Sequence, residues 1–197
     1  KLQYLNLSQN KLTGEIPSQF GNLNIYRLNL EFNQLSGKIP PELGNLINLV
    51  NLDLESNKLS GHIPSSLGSL GKVVEIDLHN NQLSGTLPIT LNGWESLEKL
   101  NVTNNQLSGK IPNQLGELTN LTSVNLSFNN FEGEIPEKLL RIKKLESLLI
   151  HVNNLSGTIP PDFCDVNNAI KILIYGNFFC PPYPHCIKFI GKQTCED

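Results

Sequence analysis

Short alternations of apolar and polar residues recur along most of the chain. In Leu5-Asn6-Leu7 and Leu52-Asp53-Leu54, and in Leu126 following Asn125, the pattern has a period of two, which predicts a short strand with one buried and one wet face. The alternations repeat on a fixed beat. Asn10, Asn33, Asn57, Asn81, Asn105, Asn129, Asn153 and Asn177 are separated by one step of 23 residues and then six of 24. Pro17, Pro40, Pro64, Pro88, Pro112, Pro136 and Pro160 keep the same spacing, as does the glycine series from Gly14 to Gly157. Each unit therefore reads L-x-x-L-x-L-x-x-N-x-L-S-G-x-I-P-x-x-L-G-x-L-x-x, with seven near-complete units and a truncated eighth over residues 1–179. A period of this length indicates stacked units rather than a single folded core.

The columns of the repeat predict the architecture. Successive strands stack as a parallel sheet, and the strand-end Asn forms an internal ladder in which its amide bonds backbone that water cannot reach. Gly and Pro punctuate the following turn, while Phe20, Leu43, Leu67, Leu91, Leu115, Leu139 and Phe163 refill the core beyond it. Each unit buries its leucines only against its neighbours, so stability is shared along the stack. Eight strands spaced about 4.8 Å apart make a sheet roughly 34 Å long.

Composition fits this picture and narrows the chemistry. The 197 residues include 34 Leu and 26 Asn, and the formal net charge is −3 from Lys+Arg 15 and Asp+Glu 18. Without clustered Lys and Arg there is no footing for a phosphate backbone, so nucleic acid is excluded as the expected partner. No apolar run approaches the roughly 20 residues that cross a bilayer, so no membrane insertion is expected within this segment. Neither a Gly-rich phosphate loop nor a nucleophile elbow nor H-E-x-x-H is present, and no cofactor is expected.

The repeat closely resembles the plant-type, 24-residue leucine-rich repeat of receptor-like kinase ectodomains, receptor-like proteins and polygalacturonase-inhibiting proteins. The resemblance covers about nine-tenths of the chain. It implies an α/β repeat solenoid: a right-handed superhelix with a concave parallel β-sheet, a short second sheet around the S-G-x-I-P segments, and 3₁₀ turns on the convex side. It also implies an extracellular setting, either secreted or as the ectodomain of a membrane-anchored protein.

After Asn177 the beat stops, and residues 180–197 read as a Cys-rich C-terminal cap. Cys164 occupies a convex position that holds Gly21, Gly44, Gly68 and Gly116 in other repeats, which brings it within reach of Cys180, Cys186 and Cys195. Four cysteines allow three pairings, and the cap resemblance implies Cys180 with Cys186 and Cys164 with Cys195. A zinc site would want paired C-x-x-C spacing, which is missing, whereas disulfides fit an oxidising compartment. The Cys-Pro-Pro-Tyr-Pro stretch departs from the usual plant L-C-G cap. At the other end Lys1-Leu2 already belongs to a repeat, and its exposed Leu face predicts cover by further residues or another chain.

Five N-x-S/T sequons occur, at Asn6, Asn101, Asn120, Asn125 and Asn154. Asn6, Asn125 and Asn154 fall where the consensus itself generates the pattern, and Asn6, Asn101 and Asn125 project from the concave sheet. Asn120, on a loop before a strand, is the best acceptor.

Wet positions of the concave sheet form columns, and two patches emerge from them. Glu31, Asp53, Glu55, Glu75 and Asp77 gather over repeats two to four, with Arg27 and His79 as the nearby bases. Leu149, Val152, Leu173 and Tyr175, with Phe128 and His151, gather at the C-terminal end, either under the cap or free as an anchor patch. The acidic patch reads as a solvated face or as a docking surface for a basic protein or peptide. Asp53, Glu55, Asp77 and His79 lie on an open sheet that does not exclude water, so an enzyme is not expected. A flat ice-binding array of stacked Thr would need more regular columns. The expected function is non-catalytic recognition of a protein or peptide, or of a glycan, through the concave face. An inhibitor of a secreted wall-degrading enzyme and a structural component of an extracellular coat, wall or fibre are the alternatives.

Overall fold

A computed structural model describes residues 2–166 and 170–195. Its concave sheet has eight parallel strands in chain order: Tyr4–Asn6, Arg27–Asn29, Asn51–Asp53, Glu75–Asp77, Lys99–Asn101, Ser123–Asn125, Ser147–Leu149 and Lys171–Leu173. Each residue pairs with the one a repeat later, as in Asn51 with Glu75, Leu52 with Ile76 and Asp53 with Asp77. Sequence columns are therefore spatial columns. A second eight-stranded parallel sheet, from Thr13–Glu15 to Phe178–Phe179, runs along the flank.

Five convex turns are 3₁₀, from Ser18–Asn22 to Asn113–Glu117, each preceded by a proline whose fixed φ suits the entry (Pro17, φ −63). The last two, Glu137–Leu140 and Phe163–Val166, close instead as single α-turns. The repeated convex glycine is required by close stacking: a Cβ on Gly44 would meet Ser66 O, and one on Gly68 would meet Thr90 O. At the last convex turn Cys164 fills this column, and its side chain bonds the cap.

Between the sheets and the turns lies one continuous core, from Ile16 to Ile187, in which Leu43, Leu67, Leu91, Leu115 and Leu139 are fully buried. The asparagine ladder is built as the sequence predicts. Asn129 Nδ2 donates to Val102 O (3.0 Å), Leu126 O (3.2 Å) and Ser127 O (3.1 Å), while its Oδ1 accepts Leu107 N–H (3.0 Å). Only a short side chain with a donor and an acceptor on one planar group can serve this site. Asn10, Leu2 and Leu12 at the first repeat are exposed, in contrast to their counterparts deeper in the stack.

The cap pairs its cysteines differently from the expectation. Cys164 bonds Cys186 (Cα–Cα 5.6 Å) and Cys180 bonds Cys195 (4.9 Å), which corrects the expected Cys180–Cys186 and Cys164–Cys195. The backbone explains the exchange. Cys180 extends the flank strand Phe178–Phe179 and donates its N–H to Gly157 O, and Gln193 bridges back to Asn177, bringing Cys195 alongside. Cys186 is meanwhile carried to the convex end, where its N–H lies 3.0 Å from Cys164 Sγ.

Candidate functional site

The polar residue between each pair of strand leucines has a local role that repeats along the concave face. Asn6, Asn29, Asp53, Asp77, Asn101 and Asn125 each accept, through Oδ1, the backbone N–H two residues on, at 2.9–3.2 Å. This Asx geometry turns the chain out of the strand. Asn and Asp perform it equally well, so the carboxylates of Asp53 and Asp77 add charge that the turn does not need. Leu149 and Leu173 end the series, and both are half-buried.

Four acids and a histidine converge over repeats two to four. His79 Nδ1 lies 2.7 Å from Asp77 Oδ1 and 2.9 Å from Glu55 Oε2. Asn101 Nδ2 lies 3.0 Å from Asp77 Oδ2 and 3.1 Å from the same His79 nitrogen. With two carboxylate oxygens so near, Nδ1 carries the proton, and the Asn101 amide donates to Asp77 instead. The hydrogen bond to Asp77 raises the His79 pKa, with the charges of Asp77, Glu55 and Asp53 assisting against burial. Burial pushes Asp53 up to about 7, helped by a hydrogen bond to Glu31 and the charges of Asp77 and Glu31. Glu55 is also raised, chiefly by burial, with His79 opposing. Glu31, Asp53 and Glu55 bring oxygens within 4.8 Å of one another, as do the ligand atoms of Glu55, Asp77 and His79. Such donor sets suit a hard cation or a cationic side chain.

Two members of the expected patch stand apart. Glu75 accepts Asn51 Nδ2 at 2.8 Å and lies 3.7 Å from Lys99 Nζ, so its charge is answered locally. Arg27 places its guanidinium carbon 6.0 Å from the Tyr4 ring centroid.

The C-terminal patch is a chain of rings. His151 stacks on Tyr175 (4.5 Å) and takes Phe128 edge-on (5.2 Å), and Phe189 of the cap meets Tyr175 edge-on at 5.5 Å. The cap thus reaches only one end of this patch: Phe128 remains 47% exposed, Val152 36% and Phe189 59%. Phe189 was invisible to column reading because it lies outside the repeat. His151 is buried, its pKa lowered by desolvation and then by Lys171, and among the described residues its Nδ1 is the one buried side-chain polar atom without a hydrogen-bond partner.

The residue preceding each ladder Asn bends the chain with positive φ: Gln9, Phe32, Ser56, Asn80, Asn104, Phe128 and Val152 all lie between 49 and 56°, and Gly176 before Asn177 lies at 68°. For Phe and β-branched Val this is a strained setting.

Leucine rich repeat models match residues 1–23, 24–46, 48–70, 72–131 and 144–166, in register with the strands and turns. The chain belongs to the leucine-rich repeat family. Within the family its form is of the plant type, similar to receptor ectodomains. It shares 35% identity, with a TM-score of 0.88, with the plant peptide hormone receptor RGFR1 solved in complex with RGF2, over 90% of this chain. Similarity to the ectodomain of the membrane receptor kinase GASSHO1/SCHENGEN3 from Arabidopsis thaliana, solved with CASPARIAN STRIP INTEGRITY FACTOR 2, is 34% at a TM-score of 0.87, over 92% of this chain. The leucine-rich repeats here span 29% and 22% of those two chains. A plant ice-binding protein shares the fold at 22% identity and a TM-score of 0.75, with 98% of this chain and 73% of that one covered. A search of curated proteins found no match.

Among the described residues, no helix is long and apolar enough to cross a membrane.

Proposed function

We propose that this leucine-rich repeat segment is a non-catalytic recognition module, secreted or part of an ectodomain, that binds a protein or peptide partner through its concave face. The carrying observation is the placement of Asp53 and Asp77 in turn positions that Asn29 and Asn101 fill without charge. Like charges opposite one another in neighbouring strands are mildly destabilising, and Asp53 pairs directly with Asp77. A basic partner would relieve that cost and be steered by it. The two disulfides support an oxidising setting, and similarity to a plant peptide hormone receptor supports the class of partner. The carboxylates stand on an open sheet without the enclosure that acid–base chemistry exploits.

On this reading an N-glycan belongs at Asn154, which is exposed and outside the concave strands. At half-buried Asn120 and at Asn101 the amide nitrogen that would carry the sugar already donates, to Glu95 O and to Asp77 respectively.

The test is panning of a random dodecapeptide library against the wild type and against Asp53→Asn/Asp77→Asn, which keeps both turn bonds. Wild-type protein should enrich basic peptides that the double variant fails to retain. Equal retention by both, or enrichment without basic residues, overturns acidic docking.

A further inference from the structure

On the convex side the fourth repeat departs from its neighbours. Where Gly68 and Gly116 stand in the turns on either side it has Asn92, and glycine follows one place later, at Gly93. Of the 26 asparagines, Asn92 alone precedes a glycine. It is exposed, and its amide makes no hydrogen bond among the described residues. The ladder amides, by contrast, are tied to backbone, as at Asn129, and the convex-side Asn48 is tied to Asn24. An unpinned amide before a glycine is a reactive pair, because no Cβ on the following residue obstructs the approach of its backbone nitrogen to the amide carbon. Attack needs the end of the turn to open. Ile89–Gly93 is a five-residue 3₁₀ stretch without a side-chain cap at Pro88, and the poorer bonds of such a turn open locally at little cost. Beyond the pair the chain is closely held. A Cβ on Gly93 would meet Gly68 O, and fully buried Trp94 donates its indole N–H to Leu67 O at 2.7 Å. Gly93 and Trp94 thus bind the fourth turn to the third repeat.

We propose that Asn92 is a modification site at which the protein, with water as the only reagent, converts itself to an isoaspartyl form. The backbone nitrogen of Gly93 loses its proton to hydroxide and attacks Asn92 Cγ; the new N–Cγ bond displaces Nδ2 as ammonia and leaves a cyclic imide. Water then opens the imide. Cleavage of the bond to Cγ gives aspartate, whereas cleavage of the bond to the residue's backbone carbonyl carbon gives isoaspartate, in which the chain runs through Cβ and Cγ. No electrons are gained or lost. Both products add a negative charge, but only isoaspartate adds an atom to the backbone between residue 92 and Gly93. That extra atom displaces Gly93 from Gly68 and draws the Trp94 indole from Leu67 O, so the junction of the third and fourth repeats loosens as the protein ages.

Folded protein is held for weeks at about 37 °C, at about pH 6 and about pH 8, and position 92 is read by peptide mapping, with an isoaspartyl methyltransferase to tell the two acids apart. Acid should accumulate there mainly as isoaspartate. It should form at least about tenfold faster at the higher pH, since a weak acid far below its pKa is deprotonated about tenfold more for each pH unit. Trp94 is the one tryptophan of the chain, so its fluorescence reads the junction. Its emission should move to the red as isoaspartate accumulates. Fresh Asn92→Asp, which has the charge on an ordinary backbone, and aged Asn92→Gly, which restores the glycine of the neighbouring turns, should keep the emission of fresh wild type. No acid at position 92, or acid without isoaspartate, overturns the imide site. Isoaspartate with unchanged Trp94 emission, or an equal shift in fresh Asn92→Asp, overturns the loosened junction.

Discussion

His79 Nδ1 and Asp77 Oδ1 lie 2.7 Å apart, two residues from each other in sequence, at the centre of the acidic face. This contact holds the His79 pKa above its ordinary 6.5, so the protonated ring stabilises the fold. That contribution is complete below about pH 6.5 and is lost as pH rises through the raised value. Asp53, at about 7 instead of 3.8, favours its neutral form when folded, so stability also declines as pH climbs between those values. Both slopes share a sign. Urea midpoints should fall from about pH 5 to about pH 8.5, and His79→Gln and Asp53→Asn should each flatten the dependence. Asp53→Asn should also stabilise the protein at about pH 8 by roughly 0.2–1 kcal/mol, the scale of a cross-strand like-charge pair. A midpoint that rises with pH contradicts this account.

Ladder asparagines differ in worth by position. Asn129→Ala leaves the Leu107 N–H without its acceptor in a buried site and removes one of the donors to Val102 O, Leu126 O and Ser127 O, which keep Asn105, Asn153 and Thr103 as partners; it should cost about 1–3 kcal/mol, the scale of one buried group left unpaired. Exposed Asn10, which reaches only Leu7 O and Ser8 O, should cost under about 0.5 kcal/mol when replaced by Ala. Denaturant unfolding of the two variants checks the contrast, and equal losses would refute it.

Val152 bends with φ 56 in a column where Asn80 and Asn104 do the same. Because a β-branched residue is strained there and Asn is tolerated, Val152→Asn should raise stability by roughly 0.5–1 kcal/mol. It should also weaken any ligand anchored on the ring chain. Calorimetry reads the first effect, and an unchanged or lower Tm would show that packing of the valine outweighs its strain.

The cap pairing is open to direct mapping. Non-reducing proteolysis with mass spectrometry should yield peptides linked through Cys164–Cys186 and Cys180–Cys195. Removing Cys164 and Cys186 together by Ser substitution should cost about 2–4 kcal/mol. Peptides joining Cys180 to Cys186 would reinstate the alternative.

The repeat was legible residue by residue because the stack is held together by nearest neighbours. A period of 24 places Leu52 on Ile76 and Asn129 beneath Leu107 whatever the rest of the chain does, so the first sheet, the ladder and the columns of its wet face followed from spacing, whereas the second sheet followed from the family resemblance. Three things did not. Cys180 and Cys186 are close in sequence, yet the return of Gln193 to Asn177 decides their partners. Asp53 and Asp77 look like surface charge until their turn bonds show that Asn would make the same turns. Phe189, outside the periodic region, joins Tyr175 only because the cap folds back over the last repeat. Sequence alone determined what repeats, since that physics is local and additive. Tertiary structure decided what ends the repeat and what its exposed face can hold, because those depend on contacts between side chains that no period relates.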